Sequence, residues 1–355
     1  MVPKPPVNNP ESLLDYPYPA TPAPAQALAV APGVHWLRMP LPFALDHINL
    51  WLLEDGDGFA IVDCGLGNQK TRDLWDAYFA AAHGLGTGGS LWVTRVVVTH
   101  HHPDHAGNAF WLTHRFGADL WMSLGEYFSG HAIRDSQAGF SVENHMALLY
   151  RNGLEREHGE SMSERGNAYH RGVPEFPAAY CRITDGQMLE IGGRTWRVIM
   201  GYGHSPEHAS LYCEALGVLI SGDMVLPRIS TNVSVWTVEP EGNPLRLFLD
   251  SLERYAALPE STLVLPSHGL PFRGMRERIA QLREHHRLRL AEVEEACVSP
   301  KSAADIVPTL FRRTLDTHQR FFAMGEAMAH LHFLHAEGQL ERRIGADGIF
   351  RYAQA

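Results

Sequence analysis

Residues 100–105 read His-His-His-Pro-Asp-His and follow directly on Arg95-Val96-Val97-Val98-Thr99. The β-branched run reads as a strand, so its end delivers imidazoles and a carboxylate within one short loop. His100 and His102, two apart on extended backbone, project to one side, and Asp104 and His105 follow the turn that Pro103 helps set. A lone histidine is usually a surface or a satisfied core residue, but a run this dense points to a metal site, and to a catalytic one. Three further segments repeat the arrangement. Trp196-Arg197-Val198-Ile199-Met200 runs into Gly201-Tyr202-Gly203-His204, Gly217-Val218-Leu219-Ile220-Ser221 into Gly222-Asp223, and Thr262-Leu263-Val264-Leu265-Pro266 into Ser267-His268. Together they supply three nitrogen donors for one ion (His100, His102, His204), two histidines and a carboxylate for another (Asp104, His105, His268), and Asp223 to bridge. Donors of this kind suit zinc first, with iron or manganese as alternatives.

Such a site needs strands to carry it. Residues 33–39 and 48–53 alternate or run apolar, with Glu54-Asp55-Gly56-Asp57-Gly58 as a turn before Phe59 to Val62, so the chain opens as a β-meander. Residues 68–83 carry Leu74, Tyr78 and Ala81 at helical spacing, and residues 106–116 give a second helix after the histidine run. Strand and helix alternate to Met122 and again around residues 195–266. That pattern implies two sheets sandwiched between outer helices, an α+β fold with αββα layers.

At these positions the chain resembles the metallo-β-lactamase superfamily, in particular the branch of glyoxalase II (hydroxyacylglutathione hydrolase) and related thioesterases and lactonases. The family's His-x-His-x-Asp-His motif falls on His100, His102, Asp104 and His105, and its later His, Asp and His on His204, Asp223 and His268. Ile61-Val62-Asp63-Cys64-Gly65 matches the turn whose aspartate, here Asp63, the family places behind the metal ligands. The motifs occur in family order over about residues 33–273. The resemblance therefore implies the fold and the metal centre more sharply than the substrate, because the scaffold hosts many chemistries. Class B β-lactamases commonly carry Cys where this chain has Asp223, flavodiiron proteins place Glu where His102 stands, and the short stretch from Asp223 to His268 leaves no room for the inserted domain of β-CASP nucleases.

Composition sets outer bounds. A chain of 355 residues, 45% hydrophobic and 20% charged, is an ordinary globular protein with room for one large domain and a smaller one. Cys64, Cys181, Cys213 and Cys297 are scattered without a Cys-x-x-Cys pair, which argues against a disulfide framework and makes a reducing cytoplasm the expected compartment. Residues 1–30 are proline-rich and lack the basic start and apolar core of a secretory signal; they read as an extended arm suited to packing on a partner subunit, and a homodimer is the expected state. No apolar stretch approaches the roughly twenty residues that span a bilayer. A formal charge of −10 argues against nucleic acid as the partner.

The expected organisation is thus an arm (1–30), a catalytic domain (31–273) with a helical insertion at 123–180, and a C-terminal domain (274–355). The insertion is rich in aromatic and polar residues, and Tyr127, Phe128, His145 and Tyr169 are candidates for lining an acyl or aromatic pocket. After Phe272 three helices and a terminal hairpin over residues 339–352 look like a winged helix, and Arg273, Arg276, Arg278, Arg283, Arg287 and Arg289 are candidates to hold an anionic substrate tail, such as that of coenzyme A or glutathione. His101 and His208 lie outside the ligand positions and are expected at the surface or behind the ligands, and His47 at the rim of the site. The expected activity is hydrolysis of a thioester, ester or lactone at two zinc ions by a bridging hydroxide, with Asp104 orienting that hydroxide and passing a proton. The alternatives are a phosphodiesterase or ribonuclease, a mononuclear iron persulfide dioxygenase, and a binding protein with a relict metal site.

Overall fold

The computed structural model describes residues 13–83, 92–163 and 166–355. Seven strands form the first sheet in chain order: β1 (Leu28–Ala31), β2 (Val34–Pro40), β3 (His47–Asp55), β4 (Gly58–Val62), β5 (Trp92–Val97), β6 (Asp119–Met122) and β7 (Cys181–Arg182). The first four pair antiparallel, as a meander must, and β4 to β7 pair parallel, which requires the crossovers made by the helices between them. The second sheet holds β8 (Met188–Ile191), β9 (Arg194–Gly201), β10 (His208–Cys213), β11 (Val218–Gly222) and β12 (Leu263–Pro266), antiparallel except for β11 with β12.

Helices α1 (Gln69–His83), α2 (Pro103–Ala106) and α3 (Ala109–Phe116) follow in the first half, then α4 (Leu124–Arg134), α5 (Val142–Arg151), α6 (Arg156–Ser163) and α7 (Ala168–Gly172) in the insertion. Beyond these come α8 (Pro244–Ala256), α9 (Met275–Ala296), α10 (Ala303–Leu310), α11 (Thr317–Ala336) and the hairpin β13 (Leu340–Ile344) and β14 (Phe350–Gln354). The helix expected over 106–116 is interrupted at Gly107-Asn108, where the Asn108 amide donates to the Leu66 carbonyl at 2.8 Å and ties the helix start to the turn after β4.

Three buried clusters show the layering. Trp36, Trp51 and Val97 of the first sheet meet Trp196, Val198 and Ile220 of the second. The opposite face of the first sheet, with Leu37, Leu50, Leu52 and Val96, packs on Trp75, Phe79 and Leu112 of α1 and α3. The opposite face of the second, with Ile199, Tyr212 and Val264, packs on Phe248 and Tyr255 of α8 and on Ile279, Leu282 and Leu331 of α9 and α11. Successive residues of β3 point into different layers, and both layers are apolar, so the strand reads as a continuous hydrophobic run. This is the expected αββα arrangement, and the C-terminal helices share its third cluster.

Two expectations change. Leu14 is buried in that same third cluster and Asp15 exchanges backbone hydrogen bonds with Arg273, so the described end of the arm packs on its own chain; residues 1–12 lie outside the described residues. The last residues assigned to the arm, from Leu28, form β1 on the edge of the first sheet. Among the described residues no helix is long and apolar enough to cross a membrane.

Candidate metal centre

The pairings of the second sheet make β9, β11 and β12 run in one direction, so their C-terminal ends present His204, Asp223 and His268 together, opposite the end of β5 with His100. Pro103 opens α2 at its first position, where a missing N–H is not needed, and Asp104 and His105 sit in that first turn. The chain thereby gathers three overlapping donor groups: His100, His102 and His204; His100, His105 and Asp223; Asp104, His105 and His268. His100 Nε2 lies 2.9 Å from His102 Nδ1 and 3.1 Å from His204 Nε2. On the other side Asp104 Oδ2 is 3.5 Å from His268 Nε2 and 3.7 Å from His105 Nε2. Asp223 stands between, with Oδ2 3.5 Å from His204 Nε2, and Oδ1 3.4 Å from His268 Nε2 and 3.6 Å from His105 Nε2.

Four of the inward-facing rings are fixed from behind. His105 Nδ1 donates to Asp63 at 2.7 Å, His204 Nδ1 to the Asn232 carbonyl at 2.7 Å and His268 Nδ1 to the His47 carbonyl at 2.8 Å. The Thr99 hydroxyl donates to the Asp63 carboxylate and accepts from His100 Nδ1 at 3.0 Å. These bonds set the tautomers so that the lone pairs of the other nitrogens point to a common space. Asp63 makes this possible from a left-handed backbone conformation at φ 63°, which aspartate tolerates better than most residues, and it also accepts from the Thr99 N–H at 2.8 Å.

The electrostatics fit cations. His105 Nε2 and Asp223 Oδ1 are buried without a hydrogen-bond partner, a condition that costs about 1–3 kcal/mol per group unless something binds there. Burial, and then the neighbouring histidines, hold His100 and His102 well below the usual imidazole range, in the neutral form a ligand needs. Burial also depresses His105, but Asp63, Asp104 and Asp223 outweigh it and raise its pKa well above the ordinary value; burial raises Asp223, but His268 and His105 outweigh it and hold the carboxyl well below its ordinary value. Positive charge is favoured between the carboxylates, and the nitrogen and oxygen donors suit zinc, iron or manganese.

Several contributors have no signal in the sequence. Glu126 of α4 is fully buried and accepts from the His101 N–H at 3.0 Å, from the His101 ring at 2.5 Å and from the Glu207 N–H at 2.7 Å, so it joins the loop after β5 to the loop after β9. Burial works against its charge, but His101 prevails and brings the carboxyl down to about 2. Glu207 answers by accepting from the Gly125 N–H at 2.7 Å at the start of α4. His101 is therefore buried behind the ligands and away from solvent. His208 is buried as well, and its Nε2 accepts from the Asp223 N–H at 3.1 Å. His47 flanks the site through its carbonyl on His268, and its ring accepts from the Gly269 N–H at 2.8 Å.

The aromatic candidates of the insertion separate. Tyr169 donates to the His101 carbonyl at 2.6 Å, between two metal-facing residues. Tyr127 is buried in the outer layer, stacked on Tyr180 at 3.9 Å between ring centres, Phe128 is 59% exposed, and His145 stacks on Phe321 of α11 at 4.4 Å. The six arginines do not converge on the site. Arg273, Arg276 and Arg278 donate to backbone carbonyls, and Arg283, Arg287 and Arg289 pair with Glu253, Glu284 and Glu292.

Comparison with known proteins agrees with this architecture. Residues 44–268 match the family model of the metallo-beta-lactamase superfamily, and residues 290–355 match that of the metallo-beta-lactamase-like C-terminal domain. A beta-lactamase domain protein from Burkholderia ambifaria is 51% identical, with a TM-score of 0.90 over 98% of this chain and 100% of that one. "Probable metallo-hydrolase YqjP" of Bacillus subtilis is 26% identical over 85% of this chain and 92% of its own length. A hydroxyacylglutathione hydrolase of Albidiferax ferrireducens is 24% identical over 65% of each. With its strand-end histidines and aspartates placed for metal, this chain belongs to the metallo-beta-lactamase superfamily of metallohydrolases.

Proposed function

We propose that this chain hydrolyses a thioester, carboxylic ester or lactone at a centre of two divalent metal ions. The observation that carries the reading is Asp223, whose two oxygens face different donor groups, Oδ2 towards His204 and Oδ1 towards His105 and His268. His100, His102 and His204 would hold one ion, and Asp104, His105 and His268 the other. Ions held there supply a water whose pKa falls from about 15.7 to about 7, and a Lewis acid for the carbonyl. An aspartate at position 223 and the similarity to a hydroxyacylglutathione hydrolase support acyl chemistry.

The protein's part is placement and proton handling. Asp104 has the more open of the two carboxylates, with 19% of its side chain exposed against 11% for Asp223, so it can orient an incoming water and pass its proton to the departing thiolate or alkoxide. Cys64 is no competing nucleophile, because burial raises its thiol well above the usual range. The test is a panel on zinc-loaded full-length protein: an acyl-thioester, a lactone and a phosphodiester reporter. Chelator-sensitive cleavage of the thioester or lactone, lost in Asp104→Ala, is expected; cleavage of the phosphodiester alone would replace this reading with the nuclease one.

A further inference from the structure

Gly325 stands in the middle of α11, a 20-residue helix, where alanine would be more stable by about 1 kcal/mol. The backbone explains the glycine. A Cβ at this position would lie 2.6 Å from Ser234 Oγ and 2.7 Å from Ser234 Cβ. The Val235 N–H donates to the Gly325 carbonyl at 3.2 Å, so the chain after Asp223 rests directly on the helix. Ser234 Oγ donates to Asn232 Oδ1 at 2.8 Å, and the Asn232 carbonyl is the acceptor that orients His204. Nearer to Asp223 the same segment is gripped by α9. Arg278, 5% exposed, donates from Nε to the Leu226 carbonyl at 2.6 Å and from Nη2 to the Ile229 carbonyl at 2.8 Å.

We propose that Gly325 and Arg278 are positioning residues for the metal centre: the C-terminal helices fix the 224–235 segment so that the Asn232 carbonyl aims His204 at His100 and His102. The C-terminal unit is then part of the metal centre. The inference rests on the two-ion reading of the site and adds what holds the three-histidine half in register. A ligand turned by a displaced carbonyl loses affinity for its ion, and loss of such an outer partner typically weakens metal binding by about 10–100-fold.

The experiment is a Zn²⁺ titration of metal-free full-length protein against a chromophoric chelator, with the three-histidine affinity assigned as the one abolished in His102→Ala. Gly325→Ala and Arg278→Met are each expected to weaken that affinity by about 10–100-fold and to leave the Asp104, His105 and His268 affinity unchanged. Adding Ser234→Gly to Gly325→Ala removes the atoms the new methyl would strike and should recover affinity. Val293→Ala, a cavity in the same buried cluster away from the segment, controls for general destabilisation and should leave both affinities as they were. Should Gly325→Ala not fold, Arg278→Met carries the same expectation. Wild-type affinities in these variants, or an equal loss in Val293→Ala, would overturn the inference. A wild-type protein that takes no Zn²⁺ at the three histidines would instead bring down the two-ion reading, and this inference with it.

Discussion

Two groups of buried histidines in this chain have opposite character. At the strand ends the rings of His105, His204 and His268 each donate one nitrogen to a fixed acceptor and aim the other at Asp223. Between α8, α9 and α11, His286 and His330 lie with ring centres 5.6 Å apart, but both nitrogens of His286 and Nε2 of His330 have no partner, and burial drives their pKa values down to about 3 and about 4. His286 packs edge-on to Phe248 as an apolar side chain would. Clustered imidazoles alone do not make a metal site. A shared carboxylate between rings held by outer acceptors does, and in the second group only His330 has such an acceptor, donating from Nδ1 to the Glu326 carbonyl at 2.8 Å.

The largest test of that contrast removes the shared carboxylate. Asp223→Ala should lower hydrolysis by about a thousandfold or more, since metal-ion stabilisation of the transition state is worth several kcal/mol and each 1.36 kcal/mol is a factor of ten; steady-state kinetics on metal-loaded protein measures it. Removing an outer acceptor should cost less. Asp63→Ala leaves His105 Nδ1 and Thr99 without their acceptor and should weaken the Asp104, His105 and His268 affinity by about 10–100-fold in a chelator titration. Glu126→Leu leaves His101 buried against an apolar side chain and should destabilise the fold by about 3–5 kcal/mol in denaturant unfolding, as when one member of a buried pair is lost. In the helical group the sign reverses. His286→Leu removes two unpartnered nitrogens and should be neutral or stabilising by about 1 kcal/mol, with metal content unchanged; a loss of metal would erase the distinction between the two groups.

A pH-dependent effect lies on the same helix as His330. Glu326 is half-buried, and burial, opposed by Arg289, pushes its carboxyl from 4.5 up to about 7. Its folded pKa is raised, so the native state holds the proton more tightly, and the resulting stabilisation is full below about 4.5 and is lost as pH rises through about 7. Glu326→Gln should lack that slope and exceed the wild type in stability at pH 8 by on the order of 2 kcal/mol, read from unfolding curves at pH 5 and pH 8.

The metal ligands were legible in the sequence because each group of them begins one to three residues after an apolar strand, where periodicity and chemistry change together. The meander, the two-sheet sandwich and the three C-terminal helices were legible for the same reason. Strand β10 was not read, since all its residues are buried and its pattern has no period. Glu126, Asn232 and Arg278 were illegible as parts of the site because their partners are 25 to 81, 28 and 49 to 52 residues away, and nothing in local spacing reports a contact made by tertiary packing. The arginines of α9 misled because their charge is visible in sequence while the glutamates and carbonyls that engage them are not. Leu14 looked like part of a free arm because a single buried leucine among prolines carries no periodic signal.

The most direct test of a shared two-ion centre is metal content by mass spectrometry on freshly purified full-length protein, wild type beside Asp223→Ala. Near two divalent ions per chain in the wild type, falling to one or fewer in the variant, is the expected result. A single ion in the wild type, or two ions retained without Asp223, would contradict it.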